Sequence, residues 1–181
     1  MGIVLSMLRG INVSGQKKVP MVQLKKLYED LGFTSVRTYI QSGNVLFEAG
    51  EIEHRLLPEM INTKIQEVFG FDVQIIIRTR AEMEQAIWKN PYVSEQDADP
   101  GKLYVTFLAE EPTAENLEKI KAYNFDPEKF SIIGKEAYLY VPLGYGNAKL
   151  SNTFFENKLK VQATTRNWKS VNTLADLLKA E

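Results

Sequence analysis

Apolar residues run almost unbroken from Ile3 to Leu8, interrupted only by Ser6, which predicts a buried first strand. A polar, glycine-bearing loop follows from Arg9 to Val19. Leu24, Leu27, Tyr28 and Leu31 then recur at helical spacing, with Lys25, Lys26, Glu29 and Asp30 on the opposite side. Pro20 suits the first turn of that helix and Gly32 its C-terminal cap. The stretch Val36 to Glu48 is β-rich but broken by Gln41-Ser42-Gly43-Asn44, which predicts two strands around a tight turn with Gly43 at positive φ. From Ile52 to Phe69 a stripe of Leu57, Ile61, Ile65 and Val68 predicts a helix ended by Gly70; Pro58 requires a kink or a later start. Val73 to Arg78 is a fourth strand. Thr79-Arg80-Ala81-Glu82 is a capping box, opening a helix that runs to about Lys89, before Asn90-Pro91.

This order, strand-helix-strand-strand-helix-strand, is that of a ferredoxin-like unit. The polar stretch Tyr92 to Gly101 is the best boundary. Beyond it the pattern resumes: a strand at Lys102–Leu108, a helix from Thr113 to about Tyr123, and strands at Phe130–Ile133 and Ala137–Val141 around Gly134-Lys135. A second Gly-rich loop, Leu143 to Asn147, leads to a helix carrying Leu150, Phe154, Phe155, Lys158 and Leu159. A last helix is expected from about Arg166, with Thr165 as its cap and Trp168, Val171, Leu174, Ala175 and Leu178 inward. The predicted class is α+β: a ferredoxin-like βαββαβ unit over residues 1–90, a connection at 91–101, and a second βαββα-type half with C-terminal helices over 102–181. No repeat is visible residue by residue, so duplication is suggested by shape alone.

Composition narrows the chemistry. The chain has 181 residues, 44% of them apolar and 25% charged, which is the range of ordinary globular proteins. Its net charge of -1 disfavours a grip on extended duplex nucleic acid, which calls for a basic excess. There is no cysteine, so disulfides, a thiolate nucleophile and Cys-based zinc sites are excluded. One histidine, His54, rules out a His-rich metal site and reads as a surface residue beside Glu53 and Arg55. The apolar N-terminus is too short for a signal peptide, and no apolar run approaches a membrane span, so a cytoplasmic location and no membrane partner are expected.

Three polar segments stand out: Arg9 to Lys18, Arg37 to Asn44, and Thr164 to Trp168 with Lys149 before it. Arg-Gly-Ile-Asn-Val followed by Val-Pro-Met, Thr-Tyr-Ile-Gln-Ser-Gly-Asn-Val, and Thr-Arg-Asn-Trp with Val171 and Leu174 together resemble the uncharacterised bacterial family called domain of unknown function 1697. The likeness spans nearly the whole chain. It implies a fold and motif positions but no activity, because the family itself has none assigned. Near Gly146 the family tends to carry a serine before Lys-Leu; here Ala148 precedes Lys149 and Leu150, which puts a nucleophilic role for that hydroxyl in doubt.

Topology gives an independent reason to join the first two segments. In a ferredoxin-like unit strands one and two run the same way, so the loop leaving strand one and the turn after strand two share one end of the sheet. Arg9, Asn12, Lys17 and Lys18 should therefore lie near Gln41, Ser42 and Asn44. A Gly-bearing loop before a helix, with Arg and Lys beside it, is suited to an anion. Lys149, Arg166 and Asn167 are candidates to complete the site from the second half. Set against this, the glycines can serve turns alone, Asn12 and Asn44 can simply close them, and Lys17-Lys18 can be solvated. Gly10 and Gly15 form neither a P-loop nor a dinucleotide fingerprint, and no cofactor is expected. Glu95, Asp97 and Asp99 lack a calcium-loop pattern. The expected function is a binding module for a small anionic or phosphate-bearing ligand, such as a nucleotide or a nucleic-acid end. The alternative is an enzyme on a small anionic substrate, with Tyr39, a lysine or a carboxylate doing the acid–base work.

Overall fold

The computed structural model describes residues 2–95 and 99–180, so Asp97 lies outside the described residues. The chain divides into two compact units, Met1–Met83 with Leu174–Glu181, and Glu84–Thr173.

The first unit contains β1 (Val4–Leu8), α1 (Met21–Asp30), β2 (Thr34–Tyr39), β3 (Asn44–Glu48), α2 (Leu57–Phe69) and β4 (Ile75–Thr79), leading into α3 (Arg80–Trp88). Its sheet has the order β2-β3-β1-β4, with antiparallel neighbours throughout. This is the ferredoxin-like arrangement expected from the element order. Val4 and Leu8 of β1 join Val45 and Phe47 of β3 in a core sealed by Leu24, Leu27 and Tyr28 of α1 and by Leu57, Ile61 and Ile65 of α2. Each large apolar side chain so buried contributes roughly 1.5–3 kcal/mol. Ser6, the polar interruption in β1, is fully buried and shares a 2.7 Å hydrogen bond with the Tyr28 hydroxyl. Proline and glycine set the helix ends: α2 begins late enough to hold Pro58 in its first turn, and it stops at Gly70 with φ 79°. The capping box is present, with Glu82 accepting from the Thr79 amide at 2.8 Å and Thr79 Oγ1 accepting from the Glu82 amide at 3.3 Å.

The second unit contains β5 (Leu103–Leu108), α4 (Ala114–Ile120), β6 (Lys129–Ile133), β7 (Glu136–Tyr140), α5 (Asn152–Leu159) and β8 (Ala163–Asn167), followed by α6 (Trp168–Lys179). The sheet order is β6-β7-β5-β8, again antiparallel. Strand β8 corrects the sequence reading, which starts a helix at Arg166. Thr165 is not a helix cap: its hydroxyl meets Thr106 Oγ1 and Asn152 Oδ1, each at 2.7 Å. The cap is Asn167, whose Oδ1 accepts from the Ser170 amide at 2.8 Å. Thr165, paired with the buried Thr106 of β5, and Thr164, paired with Phe107, are both β-branched and favour the extended chain there. In α6, Val171, Leu174, Ala175 and Leu178 are buried as their spacing predicts, while Trp168 is half-buried.

The two units repeat each other in register. In the first, Val4 pairs with Phe47 and Thr79, and Leu5 with Leu46 and Arg78. In the second, Tyr104 pairs with Leu139 and Asn167, and Val105 with Tyr138 and Arg166. Loop bonds match as well: Leu8 N to Gly43 O and Leu108 N to Lys135 O, at 2.8 and 2.9 Å, then Arg9 N to Gln74 O and Ala109 N to Gln162 O, both at 2.9 Å. The repeat is therefore one of backbone pairing, with little identity left in the side chains.

Candidate functional site

The end of the first sheet where β1 and β2 finish is built from the loop Arg9–Pro20 and the turn Ile40–Gly43 between β2 and β3. The loop folds back on itself: Asn12 N donates to Lys17 O at 3.1 Å and Gln16 N to Val13 O at 2.9 Å. This tight path requires left-handed backbone at Gly10, Asn12, Ser14, Gly15 and Lys17 (φ 70°, 56°, 49°, 74° and 44°). Three of these five residues have a Cβ, so conformational strain is concentrated in one exposed loop.

Asn12 and the turn are brought together as expected, but the amide serves the scaffold. Its Nδ2 donates to Val19 O at 3.0 Å and to Gln41 O at 2.9 Å, while Oδ1 accepts from the Val19 amide at 2.8 Å. One side chain thus closes the loop and ties it to the turn. Gly43 sits at φ 84° against Ile11 and Leu8, whose atoms would lie 2.7 and 2.9 Å from a Cβ. Asn44 is fully buried; its Nδ2 donates to Tyr39 O and to Ser42 Oγ, both at 3.0 Å. Ser42 is half-buried, and Gln41 is exposed. Lys17 is exposed and reaches Asp72 O at 2.8 Å, with its ammonium 5.9 Å from the Phe71 ring centre. Arg9 is half-buried at the end of β1, and Lys18 is exposed.

Lys149, Arg166 and Asn167 belong to the second unit, each with a local engagement. Lys149 is exposed, its ammonium 5.7 Å from the Phe125 ring centre. Arg166 is buried in β8 instead of in the first turn of a helix, and its guanidinium donates to Thr164 Oγ1 at 2.9 Å and Thr165 O at 3.0 Å. Burial lowers its pKa to about 10, partly opposed by Tyr145. Asn167 is occupied as the α6 cap.

Two roles had no signal in the sequence. Asp72 meets Lys17 through its backbone carbonyl, which any residue type supplies. Arg37 lies on β2, and its Nη2 donates to Leu177 O at 3.1 Å and Ala180 O at 3.4 Å, carbonyls at the end of α6. A cleft of about 870 Å³ is found at the other end of the first sheet, lined by Lys25, Glu29, Arg37, Glu48 and Arg80 among others and by no residue of the Arg9–Pro20 loop. Among the described residues no helix is long and apolar enough to cross a membrane, and no group of three or more His, Cys, Asp or Glu is placed to hold a metal ion.

Two ferredoxin-like units in tandem, closed by a helix, define the structural class. The chain belongs to the family described as protein of unknown function (DUF1697), whose model matches residues 1–138. A structure with the same fold is that of the conserved bacterial protein SP0830 from Streptococcus pneumoniae, at 20% identity and a TM-score of 0.74, covering 97% of this chain and 98% of that one. No curated protein matches the chain.

Proposed function

We propose that the chain is a binding module that takes a small anionic or phosphate-bearing ligand on the Arg9–Pro20 loop and the neighbouring β2–β3 turn. One observation carries this reading. The two units repeat in backbone register, yet only the first is elaborated at this end. Its β1–α1 connection spans Arg9–Pro20 and its turn Ile40–Gly43, where the second unit has only Ala109–Thr113 and Gly134–Lys135. The fold does not need the extra chain, since the second unit closes without it. A strained loop pinned by Asn12 is a rigid platform, and rigidity lowers the entropic cost of binding. Its exposed Lys17 and Lys18, with Arg9 at the base, supply the charge that an anion requires. Gln41, exposed on the turn, offers a neutral donor beside them.

The test is a thermal-shift series on the whole chain with inorganic phosphate, nucleotides, sugar phosphates and short oligonucleotides. A ligand at about a hundred times its Kd stabilises the native state by about 2.7 kcal/mol. Exchange of Lys17 and Lys18 for alanine should remove the shift and leave the unliganded protein folded, and added salt should weaken it. If no anion shifts the melting temperature, or if the double variant responds as the parent does, the reading is wrong.

A further inference from the structure

We propose that the open edge of β6 is a second binding site, which takes an extended acidic peptide as an added strand. It lies in the second unit and does not depend on the loop site. Among the described residues strand β6 pairs with β7 alone, and Ile133 opposes Glu136 across the two-residue turn Gly134-Lys135. Gly134 at φ 61° in the first turn position suits a tight hairpin in which Ile133 and Glu136 exchange backbone bonds. The alternation then assigns Ser131 and Lys129 to β7 and directs the N–H and C=O of Phe130 and Ile132 to the open edge. Edges are normally blunted by a bulge, a proline or a short length. Strand β2, the matching edge of the first unit, has an irregular register between Thr34 and Arg37, with Ser35 at φ 53°. Strand β6 keeps an unbroken register over its five residues.

Beside this edge run two grooves. One, of about 490 Å³, lies along α4 and β6 and is lined by Leu117, Ile120, Tyr123, Phe130 and Ile132 among others. The other, of about 310 Å³, shares Tyr123 and Phe130 and continues to Phe125 and Tyr92. An added strand would lay every second side chain into these grooves, which sets an apolar residue at alternate positions of the guest. Two lysines stand beside rings that line the grooves. Lys158 and Lys149 stand 4.6 and 5.7 Å from the ring centres of Tyr123 and Phe125 and make no ion pair with a described carboxylate. Glu128, which lines the second groove, accepts from the backbone amides of Lys149 and Leu150, both at 3.2 Å, and Glu95 is held by Lys129. Two lysines without acidic partners among the described residues, beside an apolar groove, call for a guest with carboxylates between its apolar residues.

A single-stranded nucleic acid would also meet lysines and rings here, but the geometry favours peptide. Lys158 already lies over Tyr123, and the partly buried Phe130 is engaged by Phe154 and Phe155 at 72° and 78°, which disfavours flat stacking of bases on these rings. The outward backbone groups of Phe130 and Ile132 are satisfied by a strand and not by bases.

The experiment measures binding of three fluorescent probes to the whole chain by anisotropy: a synthetic peptide alternating glutamate and valine, its lysine–valine counterpart, and a short oligothymidylate. The acidic peptide should bind, and the basic one should bind at least about tenfold more weakly. Ile132→Pro removes an outward N–H at a position where an edge strand tolerates proline, and should abolish binding. Should that variant fail to fold, Lys149→Glu with Lys158→Glu provides the surface test, with a loss of at least about tenfold. Hydrogen exchange should slow at Phe130 and Ile132 in the complex. Absence of acidic-peptide binding, equal binding of the two peptides, preference for the oligothymidylate, or unchanged affinity in the folded variants overturns the proposal.

Discussion

Asn12 Nδ2 donates to the carbonyl oxygen of Gln41 at 2.9 Å, joining the loop after β1 to the turn after β2 across 29 positions of sequence. The same side chain makes two further bonds to Val19 and sits at φ 56°. Asparagine suits both demands, because its short amide tolerates left-handed backbone and reaches nearby main chain. Asn12→Gly should keep the backbone path and lose the bonds, at a cost of about 2 kcal/mol; Asn12→Ala adds the left-handed penalty, for about 3 kcal/mol. Urea unfolding should rank the parent above Gly and Gly above Ala. An alanine variant as stable as the glycine one would show that the left-handed backbone at this position carries no penalty.

Gly43 tests close approach against conformation. A Cβ there would fall 2.7 Å from Ile11 Cδ1 and 2.9 Å from Leu8 Cβ, at φ 84°. Gly70 has a similar φ of 79° with open space around it. Gly70→Ala should therefore cost about 1 kcal/mol, the left-handed penalty alone. Gly43→Ala should cost about 3 kcal/mol or more, since Leu8 Cβ belongs to a buried strand and cannot swing away. Equal melting temperatures for the two variants would contradict the packing around Gly43.

Asn167→Ala should destabilise by about 1 kcal/mol through loss of the α6 cap, measurable by thermal unfolding. A neutral result would remove Asn167 from that role. The residue also shows where the sequence misleads. Strand β4 is legible because Ile75, Ile76 and Ile77 form an apolar run, whereas its counterpart β8 is Ala-Thr-Thr-Arg-Asn, polar by composition. Its burial comes from pairing with β5, a long-range fact that no local pattern records. The Thr-Arg-Asn-Trp motif therefore looks like a helix start two residues too early. The candidate loop follows the same rule. Its position beside the β2–β3 turn is legible from topology, and Gly43 announces the turn. The occupation of Asn12, Asn44 and Lys17 by main-chain carbonyls is not legible, since a carbonyl acceptor leaves no trace in residue type.

Tyr28 links packing to pH. Its hydroxyl meets Ser6 Oγ at 2.7 Å with both residues fully buried, and Ser6 keeps a second contact to Val45 O at 3.3 Å. Tyr28→Phe should thus cost only about 1 kcal/mol near neutral pH. Burial pushes the phenol well above its ordinary value of 10.0, with the Ser6 bond working weakly the other way. The folded state therefore holds this proton after the unfolded chain has released it. The stability so conferred is complete below pH 10.0 and is lost as pH rises further. Tyr138 is raised in the same sense by burial and then by Glu136, and Tyr92 is raised to about 12 by burial and then by Glu95. Arg166 has the opposite sign, because its folded-state pKa is depressed, but it is common to parent and variant. Comparing the two isolates Tyr28: above its ordinary pKa the parent should lose about 1.4 kcal/mol per pH unit relative to Tyr28→Phe, so the gap closes near about pH 11. Urea unfolding at about pH 7, 9 and 11 reads this directly. A gap that stays constant across that range would mean that Tyr28 ionises in the folded protein as it does in the unfolded chain, and that its hydroxyl is not sealed in the core.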